Sequence, residues 1–269
     1  MLKILDSALL AAICPLLCGC PYPPSAGPNT LTQYGTLDAL MVGVYDGDFT
    51  VGDVKRYGDF GLGTFNALDG EMVVLDGVVY GVPFDGIPVV MEDATQTPFT
   101  AVVHFQSDQT LTLDAGLDMA GANATLTNAA GSANRFYAVR LEGTFALLRT
   151  RSVPRQSMPY PPLASVIPNQ SEFELAQVAA TLVGLYTPDS AAGLNAAGWH
   201  WHALTDDHTA GGHVLALETG AGVTAQIDTL HTHTTFFPET EAFLEAGLDG
   251  EDDADGETAK AARLDGALF

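Results

Sequence analysis

The sequence predicts an α+β fold of two β-rich subdomains with mixed and antiparallel sheets, carrying a metal site on a hairpin of its C-terminal half. Three observations point there. Short apolar or alternating runs recur between turn-forming residues, the pattern of half-buried strands. No long amphipathic helix dominates. Three histidines, His200, His202 and His213, fall within one short stretch of the last third.

The chain begins with an address. Lys3 precedes an apolar run over 8–17, followed by Cys18-Gly-Cys20 and Pro21-Tyr-Pro-Pro24. The run is too short for a stable bilayer span and has the length of a signal-peptide core, so residues 1–19 read as a signal peptide. Leu17-Cys-Gly-Cys20 resembles a bacterial lipoprotein box with Cys20 as the acylated residue; ordinary cleavage near Ala26 is the alternative. The expectation is an exported protein, lipid-anchored to the envelope or secreted, whose membrane contact is confined to that anchor. All three cysteines, Cys14, Cys18 and Cys20, lie in this segment. The body beyond it has no disulfide and no thiolate ligand, so any metal rests on histidines and carboxylates.

Residues 20–33 then read as a linker, and 34–165 as an N-terminal α+β subdomain. Leu37, Leu40 and Met41 have helical spacing. Strands are expected over 71–75, 78–82, 87–91, 99–105 and 110–113, with Asp69-Gly70 and Asp76-Gly77 as turns. Alternation over 135–150 gives another strand. The Pro-rich stretch 154–168 marks the candidate boundary. Residues 166–245 form the expected metal-binding subdomain, with strands over 173–186, 200–204, 213–218 and 223–229. Leu40-Met-Val-Gly-Val-Tyr45 and Leu182-Val-Gly-Leu-Tyr186 echo each other, which suggests duplication of one α+β unit. Residues 246–269 form an acidic tail expected to pack on or near the site.

The charge excludes one class of partner. The chain holds 10 Lys and Arg against 33 Asp and Glu, a net charge of −23. A nucleic-acid surface needs clustered cations, which this chain cannot supply.

The histidines carry the chemistry. On a strand, alternate side chains share a face, so His200 and His202 project together. The polar segment 205–212 reads as a hairpin loop that returns His213 beside them. Three neutral imidazoles on one face suit a borderline ion such as zinc and leave positions open for substrate. The same types also serve as ordinary polar strand residues. His231-Thr-His233 has identical spacing with no third histidine downstream, and reads as a solvated strand face. His208 belongs to the loop, and His104 is isolated. Strand alternation sends Trp199 and Trp201 to the opposite face, into the core.

Three blocks resemble the acetolactate decarboxylases. The first is Gly58-Asp-Phe-Gly-Leu-Gly-Thr-Phe-Asn-Ala-Leu-Asp-Gly-Glu71. The second is Arg140-Leu-Glu-Gly-Thr-Phe145, running into Arg151-Ser-Val-Pro154, Gln156 and Pro159-Tyr-Pro-Pro-Leu163. The third is Thr181-Leu-Val-Gly-Leu-Tyr-Thr-Pro188, then Gly193-Leu-Asn195, Gly198-Trp-His-Trp-His202 and Gly211-Gly-His-Val-Leu215. The resemblance implies cleavage of 2-acetolactate to acetoin and carbon dioxide through a zinc-stabilised enediolate, with no organic cofactor. It implies His200, His202 and His213 as zinc ligands, with Glu71, Thr64 and Arg151 at the site. It also implies a proton-delivering glutamate near the C-terminus, for which Glu257 is the first candidate and Glu251 the next, and a homodimer.

Each assignment has a plainer counterpart. Glu71 follows a turn and could be an exposed strand residue, and Thr64 a hydrogen-bonding strand residue. Arg149 and Arg155 lie in the same cationic cluster as Arg151 but outside the matching positions, and read as surface or structural. Three other functions fit parts of the pattern. One is a small regulatory domain with H-x-H and Gly-Gly-His signatures, similar to residues 170–220. The others are an exported zinc-binding protein without turnover, and a metal-dependent lyase or isomerase of another hydroxy-keto acid.

Overall fold

The structure, a computed structural model, describes residues 26–248. Cys20, Glu251 and Glu257 lie outside the described residues. The first part of the chain contains strand β1 (Thr30–Tyr34), helix α1 (Leu37–Met41), β2 (Phe49–Thr50), α2 (Val51–Tyr57), β3 (Phe60–Thr64), β4 (Glu71–Leu75) and β5 (Val78–Val82). β6 (Val89–Val90), β7 (Gln96–Thr97), β8 (Thr100–Val103), β9 (Gln109–Thr112), α3 (Met119–Ala130) and β10 (Phe136–Ser152) follow. The last part holds α4 (Leu163–Val166), β11 (Ser171–Thr187), β12 (Gly198–Thr205), β13 (Gly211–Thr219), β14 (Thr224–Leu230), β15 (Thr232–Phe236) and α5 (Glu241–Leu244). This is an α+β arrangement dominated by strands.

Among the described residues the strands make a seven-stranded sheet ordered β15-β1-β8-β3-β4-β5-β6 and a six-stranded sheet ordered β11-β12-β13-β10-β14-β9. The first is mixed, because β1 pairs parallel with β15 and antiparallel with β8. In the second, β10 also pairs with β11 along most of its length, so β10, β11, β12 and β13 close on one another.

This topology corrects the expected boundaries. The Pro-rich segment does not separate the two sheets; it connects β10 to β11, which are neighbours in the same sheet. β9 and β10 belong to the second sheet, while β15 returns to the first. Thr30 to Gln33, assigned to a linker, form most of β1. The physical reason is hydrogen-bond satisfaction. A strand's backbone groups must find partners, and those of β1 find them 200 residues downstream, beyond any local pattern. The two echoing segments also differ in structure: Leu40 and Met41 end α1, whereas Leu182 to Tyr186 are interior to β11.

The sheets pack through a shared core in which Leu62, Val73 and Val103 from the first meet Val183, Leu185 and Leu204 from the second. Helix α2 covers the outer face of the first sheet beside Phe49, Val74 and Val79. Helix α3 covers the second, placing Ala122 and Leu126 among Leu141, Trp201 and Leu217. Its N-cap is Asp118, whose side chain accepts from Gly121 N, and Gly131 at φ 81° ends it in the left-handed conformation. A third apolar cluster joins α1 and α4 through Leu37, Leu40, Leu163 and Val166, and roofs one side of a cleft.

Candidate metal centre

The cleft lies where β3 and β4 of the first sheet meet β10, β12 and β13 of the second. His200, His202 and His213 are all buried there, with ligand-capable atoms within 4.8 Å of one another. β12 and β13 are antiparallel and register His202 opposite His213. His200 lies two residues before His202 on the same face, and its Nε2 is 3.2 Å from His213 Nδ1. Trp199 and Trp201 take the other face. They stack at 5.2 Å, and their indole N–H groups donate to Thr127 Oγ1 and Asn123 Oδ1 of α3.

A β-bulge decides what His213 faces. Arg149 of β10 pairs with Ala216, but Thr150 pairs with Val214 and Arg151 with His213, so one residue of β13 is skipped. Without that skip Arg151 would oppose Val214, and His213 would point to the other side of the sheet. Gly212, at φ 123°, makes the approach possible: a Cβ there would sit 2.4 Å from the Arg151 carbonyl oxygen. Arg151, His213 and His202 therefore form one cross-strand row over β10, β13 and β12.

Glu71 and Thr64 arrive from the other sheet. The β3–β4 hairpin registers them opposite each other, which puts both side chains on the cleft face. Glu71 Oε2 lies 3.5 Å from His202 Nε2. Thr64 donates its hydroxyl to Gly70 O at 2.7 Å, leaving only acceptor capacity toward the cleft. Met72, next to Glu71, accepts from His202 Nδ1 at 2.7 Å through its backbone carbonyl. That bond fixes the tautomer, so His202 Nε2 carries a lone pair; it is buried without a hydrogen bond.

The electrostatics follow from burial. It pushes the Glu71 carboxyl up to about 7, against the pull of the Arg151 guanidinium. It holds His202 down to about 4 and His200 and His213 well below the usual imidazole value, with neighbouring positive groups adding to the effect. All three rings are thus neutral at pH 7, the form that ligates a metal. Three neutral imidazoles, one with an orphaned ring nitrogen, and an adjacent carboxyl suit a divalent ion of borderline softness.

The structure thus brings together Thr64, Glu71, Arg151, His200, His202 and His213. Arg149 and Arg155 stay out of the cleft lining, and Arg155 pairs with Asp69 at 2.7 Å on the surface. His208 is exposed on the hairpin loop, 5.0 Å from the Tyr80 ring. His104 is exposed beside Asp59. Residues the sequence reading passed over are the apolar walls Leu68, Phe99, Val153 and Leu163, and Gln170, which accepts from Arg151 Nη1 at 3.1 Å. Leu68, Val153 and Leu163 lie inside resembling blocks, so their positions carry a signal; nothing local marks Gln170.

A buried three-histidine cluster facing an acid and an arginine in an apolar cleft is an arrangement that could hold a metal ion beside an acid–base group, as in enzymes that use a bound metal. The profile of one family, alpha-acetolactate decarboxylase, matches residues 31–250, and the chain belongs to that family of enzymes. The alpha-acetolactate decarboxylase of Methanosarcina mazei is 44% identical over 72% of this chain and 67% of its own. That of Brevibacillus brevis is 40% identical over 83% and 78%. The crystal structure of the Bacillus subtilis enzyme superposes with a TM-score of 0.81 at 33% identity, covering 86% of this chain and 98% of that one.

Proposed function

We propose that the protein decarboxylates 2-acetolactate to acetoin and carbon dioxide, with zinc held by His200, His202 and His213. The observation that carries this reading is the meeting of Glu71 and Arg151, from opposite sheets, at the three-histidine cluster. Bound zinc would supply a Lewis acid for the hydroxyl and ketone oxygens of the substrate. The remaining work falls to the chain. Arg151 offers a planar donor fork that orients the substrate carboxylate. As carbon dioxide leaves, charge moves to the carbon and ketone oxygen, and a guanidinium lining the same cleft favours that charge. The enediolate then takes up one proton. Glu71, whose carboxyl burial shifts toward its protonated form, lies beside His202 where it can deliver that proton and recover it from water. Leu37, Leu40, Phe99 and Val153 receive the methyl groups and exclude water.

The reading extends to export with a lipid on Cys20, supported by the N-terminal motif, and to a homodimer, supported by the resemblance. Intact-mass measurement and sedimentation test these. For the reaction itself, protein lacking residues 1–20 should form acetoin from racemic 2-acetolactate and lose that activity to a chelator, with zinc restoring it. Metal binding without acetoin would sink the assignment and leave the metal centre standing.

A further inference from the structure

We infer that Gln170 and Glu172 form a clamp that positions Arg151 for the reaction, an inference that rests on the role given to Arg151 above. β10 registers Arg151 between two strands, His213 on one side and Glu172 of β11 on the other. Arg151 is buried and lines the cleft, and its guanidinium is drawn inward by Glu71 and outward by Glu172, so its position depends on what holds it between the two. Gln170 supplies the hold. Its Oε1 accepts from Arg151 Nη1 at 3.1 Å, and its Nε2 donates to Glu172 Oε1 at 2.8 Å.

The direction of this relay is fixed by chemistry. Glu172 as a carboxylate can only accept, so it must face the amide nitrogen of Gln170; the amide oxygen is left for the guanidinium. The carboxylate polarises the amide and makes its oxygen a better acceptor. The backbone holds the amide in place: Gln170 caps a short turn, its N–H bonded to Ile167 O at 3.0 Å, immediately before β11 begins. The Pro-rich connection therefore has a functional end. It delivers one polar side chain to the outer face of the site arginine. Neither Gln170 nor Glu172 lines the cleft, so both act through Arg151.

The test is a double-mutant cycle on acetoin formation by the zinc-loaded protein. Gln170→Ala should lower kcat/KM about tenfold, the weight of one hydrogen bond to a charged group. Bound zinc and Tm should stay at their parent values. In an Arg151→Lys background the same substitution should change kcat/KM less than about twofold, because the lysine point charge does not use the fork. The swap Gln170→Glu with Glu172→Gln rebuilds the bond pattern, an acceptor for Arg151 supported by a donor, and should recover activity to within about threefold. Equal losses in both backgrounds, no loss in either, or a swap no better than Gln170→Ala would overturn the clamp. If Gln170→Ala proves unstable, the isosteric Gln170→Glu and the swap decide alone. Full activity of Arg151→Lys would instead overturn the role of Arg151, and the clamp with it.

Discussion

Two H-x-H pairs occupy this chain, and they differ in everything except spacing. His200 and His202 sit on β12 of the six-stranded sheet, on the face turned to the other sheet, with His213 returned beside them and the Met72 carbonyl fixing one ring. His231 is exposed, and His233 is a half-buried residue of the edge strand β15, its ring 4.7 Å from Phe136 and its Nε2 3.2 Å from Thr235 Oγ1. The first pair gains a third imidazole, a carboxyl and a carbonyl that chooses its tautomer. The second gains a threonine and a phenyl ring. A metal centre is made by what surrounds the pair, because free coordination sites must be paid for by neighbours that keep the rings neutral and oriented.

The largest expected effect breaks the contrast directly. His200→Ala should remove acetoin formation by at least about a thousandfold together with bound zinc, while His231→Ala and His233→Ala leave both within about twofold. Parallel losses in the second pair would erase the distinction. Next comes Glu71→Gln, which should lower turnover about a hundredfold or more while zinc content by mass analysis stays above half of the parent value. Equal loss of metal and turnover would make Glu71 a ligand rather than a proton carrier.

A third outcome concerns acid. In the zinc-free protein the His202 pKa of about 4 lies below the unfolded value near 6.5, so its neutral form contributes stability that is present above pH 6.5 and lost as pH falls toward 4. Across that window His202→Gln should lose less stability than the parent by about 2–3 kcal/mol, read by urea unfolding. Burial also lowers His233, and His233→Gln should show the same sign with a smaller amplitude. A flat difference for His202→Gln would place its ring in contact with water. The smallest effect lies behind the site. Trp201→Phe removes the bond to Asn123 in α3, and should lower stability by about 1 kcal/mol with little change in zinc affinity.

Much of this was readable beforehand, and the reasons differ by residue. The 71–75 and 78–82 strands were placed to the residue, because Asp76-Gly77 is a two-residue turn between apolar runs and local rules suffice there. The hairpin loop expected over 205–212 is present but shorter, over 206–210, because Thr205, Gly211 and Gly212 belong to β12 and β13. Helix α3 was not anticipated: its sequence is rich in Ala, Asn and Thr with few large apolar side chains, and its burial depends on the tryptophans and leucines of the second sheet. β1 and β15 define each other and look like nothing when taken alone. Arg151 and Glu71 were selected by resemblance, while Gln170 had neither motif nor pattern to mark it.

The sequence by itself indicated which three histidines would meet. Alternation on one strand and a turn of suitable length are local physics, and they bring His213 back beside His200 and His202. Only the tertiary structure decided what those imidazoles would face. The bulge at Leu215 turned His213 toward Arg151, the seven-stranded sheet brought Glu71 and the Met72 carbonyl within reach, and the end of the Pro-rich connection set Gln170 against the guanidinium. Each of these depends on pairing between distant strands, where a shift of one residue reverses every side chain.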